Sequence, residues 1–315
     1  MAYRRLGDSP LEVFPLVFGG NVFGWTIDEP TSFGLLDAFV AAGGNMIDTA
    51  DVYSGWAPGN HGGESETIIG HWLRKSGQRD RVLIATKVGM EMEPTRKGLA
   101  RKYIEAEVRE SLRRLGTDRI DLYQAHVDDP ETPLAETLEA FAGLVEAGTV
   151  RALGASNYTA QRLEEAVELS RSRGLPRYIS LQPRYNLCDR SEFEGPLEGV
   201  CRKLGLGVIT YSSLASGFLT GKYRSVHDFG KSPRGPRMRR QLNERGIRIL
   251  DTLSEVAREA GATPAQIALA WLLGRPSVTA PIASATSVEQ LEELLGATEL
   301  QLSRSAIDRL ERASA

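Results

Sequence analysis

Alternation between two hydrophobic periods constrains this chain more than any other feature. Short runs rich in strand-forming residues recur along the sequence, separated by stretches whose apolar residues follow helical spacing. Eight such runs are found, at 15–20, 45–48, 82–87, 120–126, 150–156, 178–182, 207–212 and 278–284. The stretch Arg101–Leu115 (RKYIEAEVRESLRRL) carries a clear helical stripe, as do 134–147 and 161–170. A further helix is marked by Thr263-Pro264-Ala265-Gln266, which supplies an N-cap, a proline at the first helical position and a capping-box glutamine. The last helix is expected over 303–312.

Strands alternating with helices favour a parallel sheet. Either an open doubly wound sheet or a closed barrel would satisfy the pattern. The first strand is not followed by GxGxxG, which argues against the usual dinucleotide-binding sheet. Eight strands between residues 15 and 284 fit an α/β fold, a single (β/α)8 TIM barrel occupying 1–315 as one domain. Residues 3–14 read as an N-terminal β-hairpin that would plug the barrel's N-terminal mouth. The connection after strand seven is far longer than the others, and 213–246 is rich in Gly, Arg, Ser and Pro. A long loop at the C-terminal rim is where substrate and cofactor contacts belong.

The net charge of −3 gives no electrostatic footprint for nucleic acid or an anionic membrane. The local cluster Arg234, Arg237, Arg239 and Arg240 is flanked by Gly and Pro and reads as a solvated loop. Cys188 and Cys201 form no CxxC pair and no disulfide framework, so a reducing, cytoplasmic setting is expected. The N-terminus shows no signal-peptide pattern, and no apolar run is long enough to span a membrane. Nothing in the sequence sets an oligomeric state.

In a barrel of this kind, functional side chains sit at the C-terminal strand ends. Strand two ends at Asp48, with Tyr53 just beyond, strand three at Lys87 and strand four at His126. Strand five ends in Ser156-Asn157, strand six at Gln182 and strand seven at Tyr211-Ser212. Singly, each has a bland role: a hydrogen-bonded structural histidine, a snorkelling lysine, a tyrosine packing anchor, an Asp48-Thr49 turn. Together they suggest a tyrosine acid whose pKa a nearby ammonium pulls below about 10. An aspartate would hold that lysine, and the histidine would orient a carbonyl.

These segments carry a resemblance. IDTADVY (47–53), IATKVG (84–89), IDLYQAH (120–126), GASNY (154–158), LQPRYNL (181–187), YSSLASGFLTGKY (211–223) and PIASATSVEQLEE (281–293) resemble the aldo-keto reductase family in order and separation, from about Tyr3 to Leu310. The resemblance implies a catalytic tetrad of Asp48, Tyr53, Lys87 and His126, and an extended nicotinamide cofactor across the barrel mouth. It implies that Ser156, Asn157 and Gln182 bind the carboxamide, that Tyr211 stacks on the nicotinamide, and that Ser212, Leu214, Gly217, Leu219 and Lys222 follow the pyrophosphate. Gly20, Asn21 and Val22 would line the nicotinamide side, and Ser284, Thr286 and Gln290 the adenosine side. NADP (NADPH) is the expected cofactor, with NAD possible, no metal is called for, and the substrate would be a small carbonyl compound or alcohol.

The departures from the family pattern fall mainly after strand eight. Ser213 stands where proline is frequent, Ser284-Ala285-Thr286 where glycine and a basic residue are frequent, and Leu294 where asparagine is frequent. No basic residue occurs in 284–290, which places the 2′-phosphate contacts in question, and Ser287-x-x-Gln290 also reads as a capping box. Phe23, Trp25 and Trp56 could form an aromatic wall for substrate or pack the rim. Some members of the resembling family are channel-associated accessory subunits, so a nucleotide-binding barrel with slow or vestigial turnover is the alternative reading.

Overall fold

The computed structural model describes residues 2–315. Its first two strands, β1 (Arg4–Arg5) and β2 (Glu12–Val13), pair antiparallel as the expected hairpin. Eight parallel strands follow: β3 (Val17–Gly19), β4 (Met46–Asp48), β5 (Leu83–Val88), β6 (Ile120–Ala125), β7 (Val150–Ser156), β8 (Tyr178–Gln182), β9 (Gly207–Thr210) and β10 (Ala280–Ala283). They close into a barrel in sequence order, with β10 bonded to both β9 and β3. The expected (β/α)8 barrel is therefore observed, its strands lying where the sequence places them to within a few residues.

Helices α1 (Glu29–Ala41), α2 (Glu64–Ser76), α3 (Arg101–Leu115), α4 (Leu134–Glu146), α5 (Ala160–Ser172) and α6 (Pro196–Leu204) each follow a strand. Two helices, α7 (Glu244–Ala260) and α8 (Pro264–Leu273), lie between β9 and β10, and α9 (Val288–Gly296) and α10 (Arg304–Ala313) complete the chain. The α8 capping box forms in full, Thr263 Oγ1 accepting from Gln266 N and Gln266 Oε1 from Thr263 N. At α9 only half of it forms. Ser287 Oγ accepts from Gln290 N, while Gln290 Oε1 reaches past the cap to the amide and hydroxyl of Thr286 at 3.0 Å each.

Residues 213–243 are more ordered than a solvated loop. They contain three 3-10 turns, Ala215–Thr220, Val226–Lys231 and Gly235–Arg240, with Phe218, Leu219, Tyr223 and Met238 buried in the core. The core has two layers. Strand faces turned toward the helices build the larger one, while Val17, Met46, Ala85, Leu122, Ala152 and Ile209 meet inside the barrel. Leu6, Leu11 and Val13 of the hairpin segment complete this inner layer, so the hairpin does plug the N-terminal mouth. Strands buried on both faces in this way are what a parallel barrel requires.

Candidate active site

The inner layer fixes what stands above it. Side chains alternate along a strand, so residues two apart share a face. Met46 and Ala85 point inward at the plugged end, which sends Asp48 and Lys87 inward toward the open end. Leu122 does the same for Gln124 and His126, and Ala152 for Gly154 and Ser156. The in-register pairs Asp48 with Ala85, Lys87 with Gln124, and Ser156 with Gln182 bring these groups to one level.

At that level Lys87 is fully buried. Its Nζ donates to Asp48 Oδ2 at 2.7 Å, to the Thr49 carbonyl at 2.8 Å and to Tyr53 Oη at 2.9 Å. An ammonium has three protons, and here all three are committed. The same Nζ lies 4.5 Å from the Tyr53 ring centroid. Asp48 Oδ1 accepts from Gln182 Nε2 at 2.8 Å, and the Tyr53 hydroxyl faces Asp48 Oδ2 at 3.3 Å. The His126 ring meets the Tyr53 ring edge-on, centroids 6.0 Å apart. Thus the structure brings together all four residues of the expected tetrad.

The electrostatics correct one expectation. Burial pushes the Tyr53 phenol well above its usual 10, and the Asp48 carboxylate pushes it further. The expected lowering by Lys87 does not prevail, because that ammonium is neutralised by Asp48 at contact distance. Burial also lowers the Lys87 ammonium, against the pull of Asp48. His126 is held well below the usual imidazole value by burial and then by Lys87, and its buried Nδ1 has no hydrogen-bond partner. The ring is therefore neutral at physiological pH.

The other side chains assigned by the resemblance divide. Asn157 has φ of 57° and donates from Nδ2 to the His126 carbonyl at 2.9 Å, while its Oδ1 accepts from the Tyr211 hydroxyl at 2.7 Å. Ser156 Oγ donates to the Gln182 carbonyl at 2.8 Å. These groups line one side of the mouth beside His126. Ser212, Ala215 and Ser216 all have positive φ, as does Gly217. This cluster of costly backbone conformations directly follows β9 at the C-terminal rim. Leu214 is half-buried and Lys222 exposed. Leu219, by contrast, is fully buried in the core, so its side chain does not reach the cleft, and Val22 is likewise a core residue. Gly20 lies against Asp48 O and Ser65 Oγ so closely that a Cβ there would clash. Asn21 Oδ1 accepts from Ser284 Oγ at 2.7 Å, joining the segments after β3 and β10.

Several residues of the site escape the strand-end argument. Gln124 lies inward between Lys87 and Gly154, and its Oε1 faces Gln182 Nε2 at 3.4 Å. The period of two along 120–126 points to it. Behind Lys87, Glu66 on α2 accepts from Thr86 Oγ1 at 2.6 Å and pairs with Arg114 at 2.7 Å, which in turn meets Glu107 at 2.6 Å. Asp51 is fully buried nearby, with Oδ2 unpartnered, and burial raises its carboxyl well above the usual range. No pattern in the sequence marks that network, since Thr86 comes from β5, Glu66 from α2, and Glu107 and Arg114 from α3.

Comparison with known proteins agrees with this geometry. Residues 15–315 match the family described as Aldo/keto reductase family. The chain belongs to that family. It is similar to "Uncharacterized oxidoreductase YrpG" of Bacillus subtilis, 36% identical over 98% of this chain and 95% of that one. It is also similar to "L-glyceraldehyde 3-phosphate reductase" of Escherichia coli, 34% identical over 93% of this chain and 86% of that one. A "Probable voltage-gated potassium channel subunit beta" of Oryza sativa is 34% identical over 99% of this chain and 96% of that one. Membership makes this aldo/keto reductase an oxidoreductase of carbonyl compounds. Among the described residues no helix is long and apolar enough to cross a membrane.

Proposed function

We propose that this chain interconverts aldehydes or ketones and alcohols with NADP(H), Tyr53 exchanging the proton at the carbonyl oxygen. The observation that carries the reading is the fully buried Lys87, whose three protons are shared among Asp48, the Thr49 carbonyl and the Tyr53 hydroxyl. Of that cluster, the half-buried Tyr53 is the member nearest solvent, so its phenol is the group a substrate can reach. Asp48 fixes the ammonium and the ammonium fixes the phenolic oxygen; in this reading the neutral His126 ring, edge-on to Tyr53, donates a hydrogen bond to the same carbonyl oxygen. A phenol that holds its proton tightly is suited to give it up only when negative charge develops beside it. When bound, the nicotinamide supplies the hydride.

Ser156, Asn157 and Gln182 carry the amide and hydroxyl groups that a carboxamide would need, and the strained 212–217 backbone offers a rim for a diphosphate. These features fit the cofactor. The test is oxidation of NADPH at about 340 nm, where reduced nicotinamide absorbs, across a panel of aldehydes and ketones, with Tyr53→Phe as control. Turnover that requires the phenol supports the reading. Tight NADPH binding with no turnover of any carbonyl would favour a nucleotide-binding accessory barrel, a reading that the similarity to the plant channel subunit keeps in view.

A further inference from the structure

We propose that Arg234 and Arg237 form an anion subsite at the substrate mouth, so that the preferred carbonyl compound carries a phosphate or carboxylate. This rests on the oxidoreductase reading above and narrows its substrate class. Both guanidiniums lie over one indole: their Cζ atoms are 5.2 Å and 5.4 Å from the Trp25 ring centroid. Trp25 meets Trp56 edge-on at 5.5 Å, and Trp56 meets the Tyr53 ring at 5.8 Å. A continuous aromatic path therefore leads from the two arginines to the phenol. Of the three side chains read as an aromatic wall, Trp56 meets the Tyr53 ring and Trp25 meets Trp56, whereas Phe23 is fully buried and stacks on Phe18 in the core; the arginines stand at the Trp25 end.

What makes the pair informative is what it lacks. Elsewhere in the same connection, Arg224 pairs with Asp251, Lys231 with Asp228 and Arg240 with Asp189. Among the described residues Arg234 and Arg237 form no ion pair, nor do Lys222 and Arg239, and burial is what sets Arg234 apart. Arg234 Nη2 is buried and has no hydrogen-bond partner at all. Burial and then the neighbouring Arg237 make the Arg234 charge harder to hold. Two like charges gathered on one ring with a buried donor unpaired are unfavourable unless an anion completes them. The indole face favours both cations and holds their planes in place. Paired guanidiniums suit the several oxygens of a phosphate or carboxylate. The same chemistry could come from a phosphate of the cofactor, and the test must separate the two sources.

The test compares kcat/KM for glyceraldehyde 3-phosphate and for glyceraldehyde, in the full chain and in the Arg234→Met, Arg237→Met double variant. Methionine keeps an unbranched apolar stem at each position while removing the charge. The full chain is expected to favour the phosphorylated aldehyde at least about tenfold, roughly what one charge-assisted contact confers. That ratio should collapse to within about threefold in the double variant and recover in part with Arg234→Lys, Arg237→Lys. Glycerol 3-phosphate, which has no carbonyl, should change the tryptophan fluorescence of the full chain and not of the methionine variant. This arm needs no turnover: a fluorescence response without reduction of any aldehyde upholds the subsite and overturns the oxidoreductase reading instead. A wild-type ratio near one with no fluorescence response overturns the subsite. So does a methionine variant that binds NADPH at least about tenfold more weakly with the aldehyde ratio intact, since the arginines would then serve the cofactor.

Discussion

The two ends of this barrel are built from the same strands and do opposite work. At the N-terminal end Met46, Ala85, Leu122 and Ala152 meet Leu6, Leu11 and Val13 of the hairpin segment in a closed apolar layer. Two residues further along each strand stand Asp48, Lys87, Gln124 and Gly154, which are polar or leave room for polar neighbours. One step of the β period separates a plug from the proposed reaction centre. The difference teaches that sealing the barrel and placing its polar groups are separable tasks along one strand. A fully buried ammonium is tolerable only where its three protons are placed, and Asp48, the Thr49 carbonyl and Tyr53, none of them in the hairpin, place them from the open end.

Substitutions at the open end should abolish chemistry and spare the fold. The largest effect is expected for Tyr53→Phe, which removes only the hydroxyl that Lys87 and Asp48 hold. Turnover should fall by about 10²–10⁴-fold, the usual contribution of a positioned proton donor, with little change in NADPH affinity. Steady-state kinetics beside a fluorescence titration decide it, and retention of more than about a third of turnover would remove Tyr53 from this role, being far below that range. Lys87→Met should follow, with weaker turnover. In the alcohol-oxidising direction the alkaline limb of the pH profile should move upward, because the Lys87 charge that offsets Asp48 beside the phenol is gone.

At the plugged end the expectation is reversed. Leu6 is fully buried in the inner layer, and Leu6→Ala should cost about 2–5 kcal/mol of stability, the range for a buried leucine. Below its lowered melting temperature the variant should keep kcat, since no atom of the site is touched. Urea unfolding beside turnover measures both. A fall in kcat well below the transition would show that the plug positions Lys87 rather than merely sealing the barrel.

Most of this architecture was legible because period and chemistry agree. The stretch Arg101–Leu115 folds as the helix its stripe announces, and strands ending in Asp48, Lys87 and His126 place their polar groups on the inner face. The connection 213–243 was less legible, since Gly, Pro and Arg leave no period to read and its 3-10 turns are set by burying Phe218, Tyr223 and Met238. The phenol's direction of shift was also out of reach. It depends on whether Asp48 or Lys87 dominates at Tyr53, a matter of distances that residue types do not specify. For the same reason Arg234 and Arg237 look like solvated loop residues until Trp25 is found beneath them.

Cofactor discrimination should be a smaller effect. The segment after β10 offers Ser284, Thr286 and Gln290 but no cation, and the structure shows these groups already engaged: Ser284 with Asn21, and Gln290 with Thr286. Their hydroxyls and the α9 N-terminus can meet a 2′-phosphate only in part. NADPH should bind more tightly than NADH by on the order of tenfold, the share left when one charged contact is missing. Dissociation constants on one preparation test this. Tighter NADH would overturn the assignment of NADP(H), and a preference above about a thousandfold, more than about 4 kcal/mol, would require a basic residue from elsewhere.

The smallest expected effect is an absence of change, and it tests the electrostatics most directly. Burial and the Lys87 charge hold His126 well below the usual imidazole value of 6.5. The ring should therefore stay neutral as pH falls through that value, and kcat/KM for reduction should show no imidazole inflection there. Stability should respond where rate does not. The unfolded chain takes up the proton near 6.5 while the folded one resists, so the stability this ring contributes is present above that pH and lost as pH falls toward the depressed folded value. His126→Gln should flatten that slope. A rate inflection near 6.5 that disappears in His126→Gln would mean the ring titrates and that Lys87 does not carry its charge against it. An inflection that survives the substitution would have its source in a group other than His126.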